Sequence, residues 1–223
     1  MLLRKEYNLQ LKELHEMLHT MGSLCCEVIT LASQRLLHKE EGLHERIQEL
    51  DGQIDQAQSD VQNLCLKLLL LQNPIAGDLR RVSAALKMVS DMERIGDQAA
   101  DIADLAQYLS KSSLDGQVCI QEMAEETVKM VEESVAAFVL DDLVLARHVV
   151  DTDDRVDELF IKVRDELVEL IRREHVDAKA ALDLLMAAKY YERIGDHAVN
   201  IAEWVEYSIT GQLENHEHRA FAK

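Results

Sequence analysis

Acidic side chains recur in this sequence one helical turn apart. Glu93 and Asp97 form such a pair, and Asp101 and Asp104 continue the stripe. On a helix turning about 100° per residue, the four point within roughly 80° of one another. The five-residue string from Glu93 to Asp97 returns letter for letter from Glu192 to Asp196, 99 positions on. The stripe there reads Glu192, Asp196, Asn200, Glu203, an oxygen donor at every step. A second pairing, Asp51/Asp55, has its counterpart in Asp153/Asp157, 102 positions on. Four or more carboxylates drawn from two adjacent helices would form an oxygen-rich site suited to hard divalent or ferric cations.

Such an arrangement is unfavourable without a ligand. Like charges four residues apart destabilise a helix by about 0.2–0.5 kcal/mol. Gly96 and Gly195, each inside a helical pattern, cost about 1 kcal/mol relative to Ala. A helix selected for stability alone would place Lys against Glu and Ala for Gly. Both penalties recur at corresponding places, and a bound cation is the simplest compensation. The absent side chains at Gly96 and Gly195 would admit a neighbouring helix or the ion itself. The competing reading is a solvated acidic face, common in a chain with 42 acidic residues.

Other chemistry is less well supported. His15-Glu16-Met17-Leu18-His19 matches the zinc-protease string. That mechanism needs a third ligand and a cleft, commonly beside a sheet; no strand precedes it, and both histidines read as a solvated flank. A di-iron carboxylate bundle would use Glu-x-x-His on two helices. Glu16/His19 and Glu41/His44 fit the letters, but the latter pair crosses Gly42 at an expected turn. His197 replaces Gln98 of the first copy and reads as a polar flank, while Trp204 and Tyr190-Tyr191 read as packing residues. No glycine-rich phosphate loop, nucleophile elbow or kinase signature is present, so no catalytic centre is expected.

The elements that must carry these residues follow from periodicity. Six helices are expected, over about Arg4–Lys39, Leu43–Leu71, Gly77–Ser110, Val118–His148, Asp151–Arg173 and Ala178–Thr210. In the second, the apolar set Ile47, Leu50, Ile54, Ala57, Val61, Leu64, Leu68, Leu71 alternates spacings of three and four. That 3.5-residue repeat packs nearly parallel or antiparallel to its neighbours. Asn73-Pro74 stops this helix, and Gly211 is placed to cap the last one. The polar stretch 111–116, ending in Asp-Gly, is the linker.

The expected architecture is all-α. It consists of two tandem antiparallel three-helix bundles related by internal pseudo-symmetry, over 1–112 and 117–211, with a frayed polar tail at 212–223 carrying His216 and His218.

Composition agrees and narrows the partners. The chain is 48% hydrophobic with one proline, Pro74, and 8 glycines, so turns are few and helices long. A net charge of −18 repels phosphate backbones and disfavours nucleic acid as a ligand. It favours cations or basic patches on partner proteins. Cys25, Cys26, Cys65 and Cys119 form no C-x-x-C pair and read as buried free thiols of a reducing compartment. No apolar run approaches the roughly 18 residues needed to span a bilayer, and no export signal opens the chain. A cytoplasmic protein without membrane insertion is expected, with long helices whose exposed apolar strips would allow a homodimer.

The segment Pro74-Ile-Ala-Gly-Asp78-Leu-Arg80, followed by Met92-Glu-Arg-Ile-Gly-Asp97-Gln-Ala, resembles the signature of the PhoU family, as does Tyr191-Glu-Arg-Ile-Gly-Asp-His197-Ala-Val-Asn-Ile-Ala202. The similarity covers nearly the whole chain as two repeats, departing where His175-Val-Asp177 stands for the Pro74–Asp78 loop. The resemblance implies multinuclear clusters of iron or zinc, with magnesium or manganese as alternatives. The ligands it implies are Asp51, Asp55, Glu93 and Asp97, and Asp153, Asp157, Glu192 and Asp196, with Asp101, Asp104, Asn200 and Glu203 behind them. It also implies a non-enzymatic role. The protein would be a negative regulator coupling the ATPase subunit of a phosphate ABC transporter to a phosphate-sensing histidine kinase.

Overall fold

A computed structural model describes residues 2–38, 42–72, 76–109, 118–172 and 177–212. Its helices are α1 (Leu2–His38), α2 (Leu43–Gln72), α3 (Ala76–Leu109), α4 (Ile120–Leu140), α5 (Leu143–Arg172) and α6 (Ala178–Thr210). Among the described residues there is no strand, and no helix is long and apolar enough to cross a membrane. The Asn73-Pro74 stop, the 111–116 linker, Glu41, and His216 and His218 of the tail lie outside the described residues.

The apolar stripes form the core as their spacing requires. Leu14, Leu18, Met21, Cys25, Val28 and Ala32 of α1 are fully buried, as are Leu50, Ile54, Val61 and Leu68 of α2. Asp177 accepts a hydrogen bond from the Lys179 amide at 3.0 Å and opens α6. Gly211, at φ +77°, closes it by donating to the Tyr207 carbonyl at 2.8 Å.

One helix boundary differs from the sequence reading. The break between the fourth and fifth helices falls at Asp141-Asp142, not between His148 and Asp151. Asp141 takes the left-handed conformation at φ +53°. The Asp142 carboxylate then accepts from the amides of Val144 and Leu145, both at 3.0 Å, and caps α5. Two adjacent aspartates offer both the left-handed residue and the cap, so the chain turns there while the apolar pattern runs on.

Within each half the helices pack on one another, α1 with α2 and α3, and α5 with both α4 and α6. The halves join through α3 lying along α6 and α1 against α4, while α2 and α5 touch only their own halves. A single buried cluster runs through all six helices. Cross-contacts fix α3 and α6 as antiparallel. Asp91 meets His197 at 2.9 Å and accepts from Asn200 at 3.0 Å, while the Tyr190 hydroxyl donates to Asp101. These contacts are images of one another under the 99-residue offset: Tyr190 corresponds to Asp91, and Asn200 to Asp101. The dyad of the repeat therefore passes through the α3–α6 seam.

Candidate functional site

The glycines of the two repeated motifs set the spacing of the outer helices. A methyl group on Gly96 would lie 3.1 Å from Ile54 Cδ1 and 3.4 Å from Asp51 Oδ1. On Gly195 it would lie 3.5 Å from both Val156 Cγ1 and Asp153 Oδ1. Each glycine thus lets an aspartate from α2 or α5 settle against the backbone of α3 or α6. The paired carboxylates of two helices are thereby brought to one groove in each half.

The electrostatics follow from that approach. In the first half, burial and then the charges of Asp55, Asp97 and Asp101 push Asp51 above the usual carboxylate range. Burial, then Asp97, does the same to Glu93, against the opposing guanidinium of Arg94. The second groove is the more strained. Burial followed by Asp196, Asp157 and Glu192 pushes Asp153 up to about 7. Partial burial followed by the Glu192 charge raises Asp196 to about 6, although its side chain still meets solvent. Asp157 is raised by burial and Glu192, with Lys189 opposing. Repulsion among the acids outweighs the local counter-charge in both grooves.

Counter-charges are nonetheless present where sequence reasoning saw none. Arg94 Nη1 donates to Asp97 Oδ2 at 3.0 Å, with Nε 3.5 Å from Glu93 Oε2. Lys189 pairs with Glu192. Both basic residues stand three positions before a ligand candidate or beside it, a spacing readable in the sequence but easily lost among 24 basic residues. Glu192 Oε2 is buried without a hydrogen-bond partner. Among the described residues no three His, Cys, Asp or Glu side chains already converge on one point. The acids are adjacent, not pre-formed into a ligand shell.

The other candidates fall at varying distances from these grooves. Asp101 is electrostatically joined to Asp51 and Asp97 but accepts from Tyr190 of the other half. Asn200 donates to Asp91 across the seam and so stands apart from the second cluster. Asp104 faces His44 of α2 at 3.6 Å. His197, read from sequence as a polar flank, pairs with Asp91; only the meeting of α3 and α6 reveals that role. Tyr191 is packing, fully buried with its hydroxyl 2.6 Å from Ser33 Oγ, whereas Tyr190 has the polar role above. His19 is exposed, but His15 is not the solvated flank expected. It packs edge-on against Phe138 at 5.4 Å, and burial and Arg81 lower its basicity. Among the described residues neither histidine belongs to a group of three potential metal ligands.

Cys25 is buried and donates to the Met92 carbonyl at 3.4 Å. Burial pushes the thiols of Cys26 and Cys65 up to about 12, and all four cysteines are free. Only Cys25 and Cys65 are the buried thiols expected; Cys26 and Cys119 are partly exposed, and Cys119 donates to Glu166 at 3.2 Å.

Comparison with known proteins agrees with the fold. The profile of the PhoU domain matches residues 18–106 and 120–205. The phosphate-specific transport system accessory protein PhoU homolog of Aquifex aeolicus is 36% identical over 210 residues, covering 94% of this chain and 95% of its own. Its namesake in Pseudomonas aeruginosa is 33% identical, covering 95% and 88%. The crystal structure of PhoU from Pseudomonas aeruginosa superposes with a TM-score of 0.86 at 33% identity, covering 92% of this chain and all of that one. The phosphate transport system regulatory protein PhoU from Streptococcus pneumoniae gives 0.85 at 28% identity, covering 93% and 98%.

Proposed function

The chain belongs to the PhoU family, and from that premise we propose that it is a negative regulator of phosphate uptake and of the phosphate-starvation response. It acts as a metal-binding helical scaffold, not as an enzyme. It works in the cytoplasm, between the ATPase subunit of a phosphate ABC transporter and a phosphate-sensing histidine kinase. Relatives of nearly the same length carry the description of a phosphate-specific transport accessory protein, which supports the transport half of this reading.

The observation that carries the metal-binding half is the repeated groove in which acid–acid repulsion exceeds the counter-charge at hand. Asp51, Asp55, Glu93 and Asp97 would hold an ion between α2 and α3. Asp153, Asp157, Glu192 and Asp196 would do so between α5 and α6. The donor set is carboxylate oxygen, including the unsatisfied Oε2 of Glu192, which suits iron or zinc in oxygen-rich coordination and also magnesium or manganese. A bound cation supplies positive charge that ties two helices together. The role of the protein is to hold those helices at the spacing the glycines permit, so that loading alters the α2 and α5 flanks on which partners can act. Apolar side chains left exposed there and at the α4–α5 turn, among them Leu66, Leu70, Leu140 and Val144, suit docking or a homodimer.

The ion pairs of Arg94 and Lys189 favour one second reading, a metal-free interaction scaffold. Elemental analysis of the purified protein separates the two. Metal content lost in Glu93→Gln/Asp97→Asn and Glu192→Gln/Asp196→Asn supports the metal scaffold, and a metal-free wild type supports the alternative. The regulatory role is tested by deletion. Phosphate-starvation genes should be expressed in high phosphate, and unchanged repression would refute it.

A further inference from the structure

The same grooves carry one feature that cation binding alone leaves unexplained. Each acid cluster already holds a positive charge from its own chain, and the two charges come from different positions of the repeat. In the first half the charge is Arg94, on Asp97 at 3.0 Å and beside Glu93 at 3.5 Å. Its repeat partner is Arg193, which acts instead on Asp101 across the seam. In the second half the charge is Lys189, on Glu192. Its ammonium also lies 5.5 Å over the Phe160 ring of α5. The residue at the corresponding first-half position is Ser90.

A carboxylate oxygen that accepts from guanidinium or ammonium offers one lone pair fewer to an ion. It also sits beside a charge that repels a second cation. The oxygens concerned belong to three of the eight acids facing the grooves, Glu93, Asp97 and Glu192. We infer that Arg94 and Lys189 are resident counter-cations which an incoming metal ion must displace, and that each sets the affinity of its own groove. This rests on the metal-scaffold reading above. Two consequences follow from the geometry. The grooves have separate loading thresholds, because an arginine with two acidic partners guards one and a lysine held over an aromatic ring guards the other. Loading also moves a cationic side chain off each cluster, so the surface is rearranged as well as neutralised.

The test uses zinc ions and isothermal titration of the full chain at pH 7. In a background where Glu192→Gln/Asp196→Asn disables the second groove, Arg94→Gln should bind zinc about threefold to fivefold more tightly than its parent, the factor one exposed ion pair represents. Arg94→Lys, which keeps a cation within reach, should stay near the parent. Lys189→Gln should tighten the second groove by a similar factor when Glu93→Gln/Asp97→Asn disables the first. Affinity that is unchanged or weaker in both glutamine variants overturns the inference. So does an equal gain in Arg94→Gln and Arg94→Lys, which would trace the effect to shape and not to charge. No zinc uptake by the wild type would instead overturn the metal-scaffold reading beneath it.

Discussion

Gly96 and Gly195 occupy the same place in two copies of one motif, yet their surroundings make substitution diverge. Replacing a helical glycine with alanine gains about 1 kcal/mol of helix propensity. At Gly195 the new methyl would meet its neighbours at 3.5 Å, ordinary contact. At Gly96 it would press on the fully buried Ile54 at 3.1 and 3.3 Å, where overpacking costs about 1–3 kcal/mol. Urea denaturation should therefore show Gly195→Ala stabilised by up to about 1 kcal/mol and Gly96→Ala unchanged or less stable. The raised acids make a second prediction. Asp153, at about 7 when folded, titrates near 4 in the unfolded chain. The folded state holds its proton more tightly, so the metal-free protein loses stability as pH rises through that window, and the penalty is complete above 7. In chelator, urea midpoints should fall between pH 5 and pH 8. Asp153→Asn should raise the pH 8 value and flatten the difference, whereas zinc uptake should strengthen over the same rise as protons cease to compete.

The helices themselves depend on a few terminal residues. The α4–α5 turn rests on Asp142, whose carboxylate satisfies two otherwise unpaired amides at 3.0 Å. Asp142→Ala should cost about 1 kcal/mol by chemical denaturation, with helical circular dichroism at 20 °C nearly unchanged because packing holds the rest of α5. The neighbouring Asp141 is tied to Arg81 of α3 at 2.5 Å. That turn is therefore also a point where the second half grips the first. Of the four helices carrying the acids, α2 and α5 are held only by their own halves. Any motion prompted by loading is easiest there, since no contact with the opposite half must break.

Across the whole molecule, the halves are repeats in sequence but not independent in packing. One buried cluster passes through all six helices, and Asp91, His197, Asn200, Tyr190 and Asp101 bridge the α3–α6 seam. A chain built this way should unfold in one transition, with circular dichroism and Trp204 fluorescence giving coincident urea curves. Residues 1–112 expressed alone should fail to give a stable monomer. The faces of α1 and α3 that meet α4 and α6 would lose the cover of the other half. Separate midpoints for the two probes, or a well-folded monomeric fragment, would contradict this.

Periodicity sufficed for six helices, for the α2 stripe and for the pairing of two repeats, because burial along a helix depends only on spacing and side-chain type. It also sufficed to place Asp51, Glu93, Asp153 and Glu192 on groove-facing stripes. The turn at Asp141-Asp142 escaped because one residue in the left-handed conformation can end a helix without interrupting its apolar pattern. The role of His15 against Phe138, the bridge from Asp91 to His197 and Asn200, and the hydrogen bond from Tyr190 to Asp101 join residues far apart in the chain. No local pattern encodes such meetings; they exist only once α3 lies along α6 and α1 against α4. Tertiary packing likewise decided how close the acids came, and therefore how strongly each repels the next. Charge repulsion depends on distance and burial, and spacing along one helix sets neither across two.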